Sequence, residues 1–202
     1  YADTILVVKK TDGTWQRIFT EDTKEQNYAE KLMFDSRGWI WGNVRYSTND
    51  QSSGFFCLDY NGTISNQRDD RSKFRNTAVN EDGTSCSLTG VYAIVEDKDQ
   101  HIWFVCSEGV FEIEDPETMF TSSIFTVNQP KVPRNDGTNY ADYLLTGVTA
   151  SAIAVDGGNR KWIGTMGGGL YLVSPDGTEI ISHFTIDNTP LLSNNIFDLK
   201  ID

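Results

Sequence analysis

The sequence predicts an all-β fold, a partial β-propeller of four-stranded antiparallel blades, on three observations. A hairpin unit recurs three times: KLMFDSRGWIWG from Lys31, YAIVEDKDQHIWFV from Tyr92 and SAIAVDGGNRKWIGT from Ser151. Each unit carries an aspartate and, six residues on, a tryptophan: Asp35 and Trp41, Asp97 and Trp103, Asp156 and Trp162, at spacings of 62 and 59 residues. Two more strand-like runs follow each tryptophan. Recurrence of this kind marks a fold built by stacking one supersecondary unit.

Each element has a physical reason. The run before each aspartate alternates between apolar and polar residues, the period of a strand with one buried face. Asp followed by Gly or Asn, as in DSRG and DGGN, supplies a turn, because an Asx side chain bonds its own backbone and Gly tolerates positive φ. The second strand brings the tryptophan, which buries about 150–250 Å² and is expected to wedge between neighbouring sheets. In the last unit Gly164 and Thr165 complete that strand. Third strands follow in GFFCLDYNGT, GVFEIEDPET and GLYLVSPDGT, and fourth strands in a weaker run, SSIFTV and EIISHFT. Asn61-Gly62 and Asp176-Gly177 between them are pairs favoured in tight hairpins. Four antiparallel strands per unit make a blade.

The termini fit the same register. TILVVKKTDGTWQRIFT matches LYLVSPDGTEIISHFT, and NNIFDLKID matches TASAIAVD, which sets Asp202 where Asp156 stands. The expected organisation is the last two strands of a blade in residues 1–27, whole blades in 28–87, 88–146 and 147–191, and the first strand of another in 192–202. About three whole blades plus two half blades fall short of the four or more that close a ring. A larger propeller continuing on both sides is therefore expected, its remainder being this segment's first partner. Tyr1 rather than Met opens the sequence, in keeping with a processed or excised segment.

Composition excludes several functions. Acidic residues number 29 against 17 basic, a net charge of -12 that repels nucleic-acid backbones. No apolar run approaches the roughly 18 residues of a membrane-spanning helix. Cys57, Cys86 and Cys106 show no metal-ligand spacing, and Cys57 and Cys106 sit in apolar runs as buried, inert thiols; one disulfide among the three stays open.

Chain topology predicts short first-to-second and third-to-fourth turns on one face. The long stretches 43–53, 67–88 and 128–148 would share the other, the expected working face, since loop insertions gathered on one face often mark a binding surface. Two of these stretches are locally basic. QRDDRSKFR holds Arg68, Arg71, Lys73 and Arg75, and PKVPRNDG holds Lys131 and Arg134. Arginine clusters suit carboxylate, sulfate or phosphate groups on a ligand, while the intervening Asp69 and Asp70 offer internal pairing instead.

Catalytic signals are absent. No nucleophile elbow, H-E-x-x-H or phosphate-binding G-x-x-x-x-G-K occurs, and the two histidines, His101 and His183, lie far apart. No metal site and no cofactor is assigned; Asp-rich turns such as EDKDQ raise calcium only to miss the EF-hand spacing.

VDGGNRKWIGTMGGGLYLV resembles the two-component-regulator propeller repeat, roughly D-x-x-G-x-x-W-x-G-T-x-x-G-[LV]; FDSRGWIWGN fits in part, and EDKDQHIWFVCSEGVFEI replaces the Gly-Thr with Val105-Cys106. About 65 residues from KVPRNDG onward are similar to PorZ-like accessory proteins of the type IX secretion system. That resemblance implies a secreted or surface-exposed, extracytoplasmic protein of a Gram-negative envelope. It implies a non-catalytic module that contacts glycan or lipopolysaccharide, or secretion-system and envelope proteins. The family's other use implies an alternative, the glycan-sensing periplasmic propeller of a hybrid two-component sensor. Since propellers also host polysaccharide lyases and glycosidases, a part of such an enzyme is a further alternative.

Overall fold

The computed structural model describes residues 6–18, 29–44 and 53–202. Residues 45–52, most of one predicted loop, lie outside that set, as do residues 1–5 and 19–28. The chain is nearly all β, a partial propeller of successive antiparallel sheets. A hairpin of β1 (Leu6–Lys9) and β2 (Trp15–Ile18) comes first. Blade 1 is β3 (Lys31–Phe34), β4 (Ile40–Val44), β5 (Gly54–Asp59) and β6 (Arg71–Arg75), paired in that order. A second hairpin, β7 (Thr77–Asn80) and β8 (Ser85–Ser87), precedes blade 2.

Blade 2 contains β9 (Ala93–Glu96), β10 (Ile102–Cys106) and β11 (Gly109–Ile113). The one-turn helix α1 (Thr118–Thr121) then leads to β12 (Thr126–Val127). The fourth strand expected from SSIFTV is thus cut to two residues. β12 reaches β11 through a single Glu112–Asn128 bridge and pairs in parallel with β7. Phe125, buried against the interblade core, ties down the chain just before it. A hairpin of β13 (Lys131–Pro133) and β14 (Ala141–Tyr143) leads into blade 3, which is β15 (Ala150–Val155), β16 (Lys161–Thr165), β17 (Leu170–Val173) and β18 (Ile180–Phe184).

The core lies between sheets, and strand periodicity fills it from both sides. In β10, Ile102, Phe104 and Cys106 join the core shared with blade 1, whereas Trp103 and Val105 join the core shared with blade 3. In β5, Phe55 and Cys57 face blade 2, and Phe56 and Leu58 pack with Leu6 and Ile18 of the first hairpin. A middle strand buried on both faces reads as an unbroken apolar run. Each large apolar side chain so buried stabilises the stack by about 1.5–3 kcal/mol.

Two expectations fail. The third-to-fourth connections are not uniformly short: residues 60–70 link β5 to β6, and 114–125, with α1, link β11 to β12. Asn61 and Gly62 both take positive φ but turn within that longer loop, not as a two-residue hairpin. Long insertions therefore fall on both sets of connections, which removes the premise for a single working face. The run ending at Asp202 forms no strand; Asn195 makes one bridge to Met166, and Asp202 is exposed. A strand needs a neighbour to satisfy its backbone, and among the described residues no strand pairs with this run beyond that bridge.

Candidate functional site

The repeated aspartates and tryptophans come together three times in one arrangement. Trp41 Nε1 donates to Asp35 Oδ2 at 3.0 Å, Trp103 to Asp97 at 2.9 Å and Trp162 to Asp156 at 3.2 Å. The other oxygen of each aspartate accepts backbone N–H groups two and four residues on, 3.1 and 2.8 Å for Asp35, 2.9 and 3.0 Å for Asp97, 2.8 and 3.0 Å for Asp156. One carboxylate thus shapes the turn and pins the indole. The six-residue spacing follows, because residue six returns along the antiparallel strand beside the turn. The residue closing each turn takes positive φ: Gly38, Gln100 and Asn159. Trp41 and Trp103 are fully buried in successive interblade cores, while Trp162 is half-buried and stacks on Phe184 at 5.6 Å.

Each carboxylate also has a cation. Asp35 has Arg37 at 3.5 Å and Asp156 has Arg160 at 2.7 Å, both from their own turns. Asp97 takes Lys161 from the next blade, at 2.8 Å. Lys161 is completely buried, lies 4.3 Å from the Trp103 ring centroid and also donates to the Pro175 carbonyl. Sequence reading missed it; the signal is a lysine where the other repeats have Ile40 and Ile102. Burial would raise the Asp97 pKa, yet the Lys161 ammonium, with the His101 and Trp103 N–H donors, holds it below the ordinary 3.8. Asp156 is likewise held at about 2, burial being outweighed by Arg160 and the turn N–H groups. Neighbouring turns interlock too: Ser36 and Arg37 bond Glu96, and Asn159 bonds Lys98 N and Asp99.

The six basic residues singled out as ligand contacts do not form one cluster. Arg71, Lys73 and Arg75 stand on β6, not in a loop, and Arg68 is exposed in the connection before it. Their alternation with Ser72 and Phe74 is a strand period, with Phe74 packing into the core behind. Arg71 pairs with Asp59 at 2.7 Å and Glu117 at 3.0 Å, and its guanidinium lies 4.5 Å from the Phe120 ring and 5.5 Å from that of Trp39. Arg75 donates to the Met119 and Ser122 carbonyls, 2.9 and 3.0 Å away, and covers Phe125 at 4.9 Å. Both arginines therefore clamp α1 of blade 2 onto the outer strand of blade 1. Lys131 pairs with Glu81 and Asp82 at the β7–β8 turn, and Arg134 with Asp142 at 2.6 Å. Lys131 thus ties the β13–β14 hairpin to the β7–β8 hairpin, and Arg134 braces the β13–β14 hairpin internally.

Asp97, His101 and Glu112 place one ligand-type atom each within 4.8 Å of one another. The two carboxylates are committed to other partners: His101 Nδ1 and Asn128 Nδ2 lie 2.8 Å from the two Glu112 oxygens, and the Lys161 ammonium pairs with Asp97. His183 Nε2 meets the Gly168 carbonyl at 2.6 Å and its ring stacks on Tyr171 at 4.0 Å. Cys57, Cys86 and Cys106 are all free thiols; burial raises all three pKa values, that of Cys106 to about 12, and leaves Cys57 and Cys106 unreactive. Among the described residues, no helix is long and apolar enough to cross a membrane.

No protein-family model matches the sequence, and no curated protein matches it. Solved structures do. The chain is 27% identical to PorZ, an essential bacterial surface component of the type IX secretion system of Porphyromonas gingivalis, over 94% of its length, with a TM-score of 0.82. It spans about a quarter of PorZ, 25% of that chain. The extracellular domain of a hybrid two-component system from B. thetaiotaomicron matches 96% of the chain at 22% identity and a TM-score of 0.53, covering 24% of that domain. A one-component system's extracellular domain from the same organism matches 95% at 15% and 0.54, covering 26% of its own length. At those identities the latter two speak to fold alone. Over the matched span the chain therefore shares its fold with a part of PorZ and of these extracellular domains.

Proposed function

We propose that this segment is a non-catalytic contact module of an extracytoplasmic protein similar to PorZ, serving envelope assembly or type IX secretion by binding a glycan or a protein partner. The likeness to PorZ over 94% of the chain carries this reading. Side-chain chemistry supports it: among the described residues the buried charged groups Asp35, Asp97, Glu112, Asp156 and Lys161 are committed to hydrogen bonds within and between blades. A general acid or base needs a free lone pair or proton within reach of substrate, and these have been spent on structure.

Deleting the segment from its gene in the native host tests the proposal. The expected outcome is that secreted or surface-anchored proteins accumulate in the periplasm, with restoration by the intact gene. Unchanged partitioning of envelope proteins would refute it.

A further inference from the structure

The three blades finish differently at their outer edges. In blade 1, β6 is held against α1 through Arg71 and Arg75. In blade 2, β11 continues through the Glu112–Asn128 bridge into β12, β7 and β8. In blade 3, β18 ends the sheet, and among the described residues no strand pairs along its outer side. A strand edge without a neighbouring strand is a template for another chain, because most of its N–H and C=O groups lack partners; of those on β18, the His183 carbonyl accepts from the Asn188 side-chain amide.

A cleft of about 530 Å³ opens at the start of this edge. Val132, Pro133 and Asn135 of the inserted β13–β14 hairpin form one wall; Thr178, Glu179 and Ile180 form the other. Val132 and Ile180 give it apolar footing, and Glu179 is the one charged residue lining it. Ile180 and Ile181 remain 37% and 43% exposed. Pro133 has no N–H, so it has no donor to offer across the gap. The hairpin's cations face elsewhere, Lys131 toward Glu81 and Asp82 and Arg134 toward Asp142, so none neutralises Glu179.

We propose that the outer edge of β18 docks an extended polypeptide segment bearing a basic side chain. Main-chain pairing to β18 would supply affinity, an apolar side chain would enter beside Val132 and Ile180, and the cation would lie at Glu179. The net charge of -12 favours such a partner over an acidic one. This inference rests on the contact-module reading and names a partner chemistry for it.

Fluorescence anisotropy of a labelled octapeptide of alternating valine and lysine, titrated with the chain, tests it. Saturable binding is expected, with a loss of about tenfold for Glu179→Lys and a similar loss at high salt. N-methylating alternate peptide residues should abolish binding in one register and spare it in the other, as pairing along one edge requires. Glu179 lies on the surface, so the variant's native tryptophan fluorescence verifies its fold. Lack of saturation, equal binding of a valine–glutamate peptide, indifference to both methylation registers, or β18 self-pairing that the peptide does not displace would each overturn the proposal. Should these fail while deletion of the segment still mislocalises envelope proteins, the docking edge falls and the contact-module reading stands.

Discussion

Replacing Lys161 with methionine tests how neighbouring blades are locked together. Methionine nearly matches the lysine stem in length, so little cavity opens, and Ile40 and Ile102 show that the repeat accepts an apolar residue there. The loss is electrostatic: Asp97, 7% exposed, keeps the backbone N–H groups of Asp99 and His101 and the Trp103 indole but loses the Lys161 ammonium. Breaking a buried pair costs about 3–5 kcal/mol, and the three surviving donors put Lys161→Met near about 3 kcal/mol. For a chain of this size that lowers Tm by about 6–12 °C. Because the folded pKa of Asp97 lies below 3.8, its stabilising contribution is present above that value and is lost as pH falls through the depressed one. The gap between native chain and variant should therefore be full near about pH 7 and close as acid titrates Asp97. Urea unfolding at neutral and acidic pH, followed by tryptophan fluorescence, measures it. A loss under about 1 kcal/mol, or one independent of pH, would refute the reasoning.

Three further outcomes follow from local geometry. Gln100 closes its turn at φ 68 where blade 1 uses Gly38, so Gln100→Gly should stabilise by about 0.5 kcal/mol, relief of left-handed strain outweighing glycine's entropy; a lower urea midpoint contradicts this. Among the described residues Asp70 Oδ1 is buried without a hydrogen-bond partner, and burial, then Asp69 and Asp59, push the pKa up. With its folded pKa raised, Asp70 favours folding only below the ordinary 3.8 and opposes it above; Asp70→Asn should add about 1 kcal/mol at neutral pH, a figure discounted for partial exposure, and nothing in acid. A Cβ on Gly54 would meet the Arg75 carbonyl at 2.3 Å and Phe74 at 2.8 Å, so Gly54→Ala should cost about 2–3 kcal/mol by pulling β5 from β6; equal melting temperatures would show that the strands give way.

The blades were legible because each repeat writes its turn, its indole and its two-residue period into adjacent positions. Asp35, Asp97 and Asp156 could be aligned by eye, and their tryptophans fall where the spacing put them. Contacts between units were not legible, since nothing local announces that Lys161 serves Asp97, 64 residues away. The β6 arginines misled for a related reason. RSKFR has strand alternation, but its polar face reads as a solvated loop until α1 is brought against it. The truncation of β12 likewise depends on β7, an insertion from the preceding crossover that no repeat unit contains.

Hydrogen exchange of the five indole N–H groups, resolved by NMR in chain carrying ¹⁵N-labelled tryptophan, tests the carboxylate pin most directly. Trp41 and Trp103, fully buried and bonded to Asp35 and Asp97, should resonate downfield and exchange only with global unfolding. Trp162 should share the downfield shift but exchange sooner, and Trp15, 64% exposed, should exchange at once. Rapid exchange of Trp41 and Trp103 at the rate of Trp15 would contradict the account.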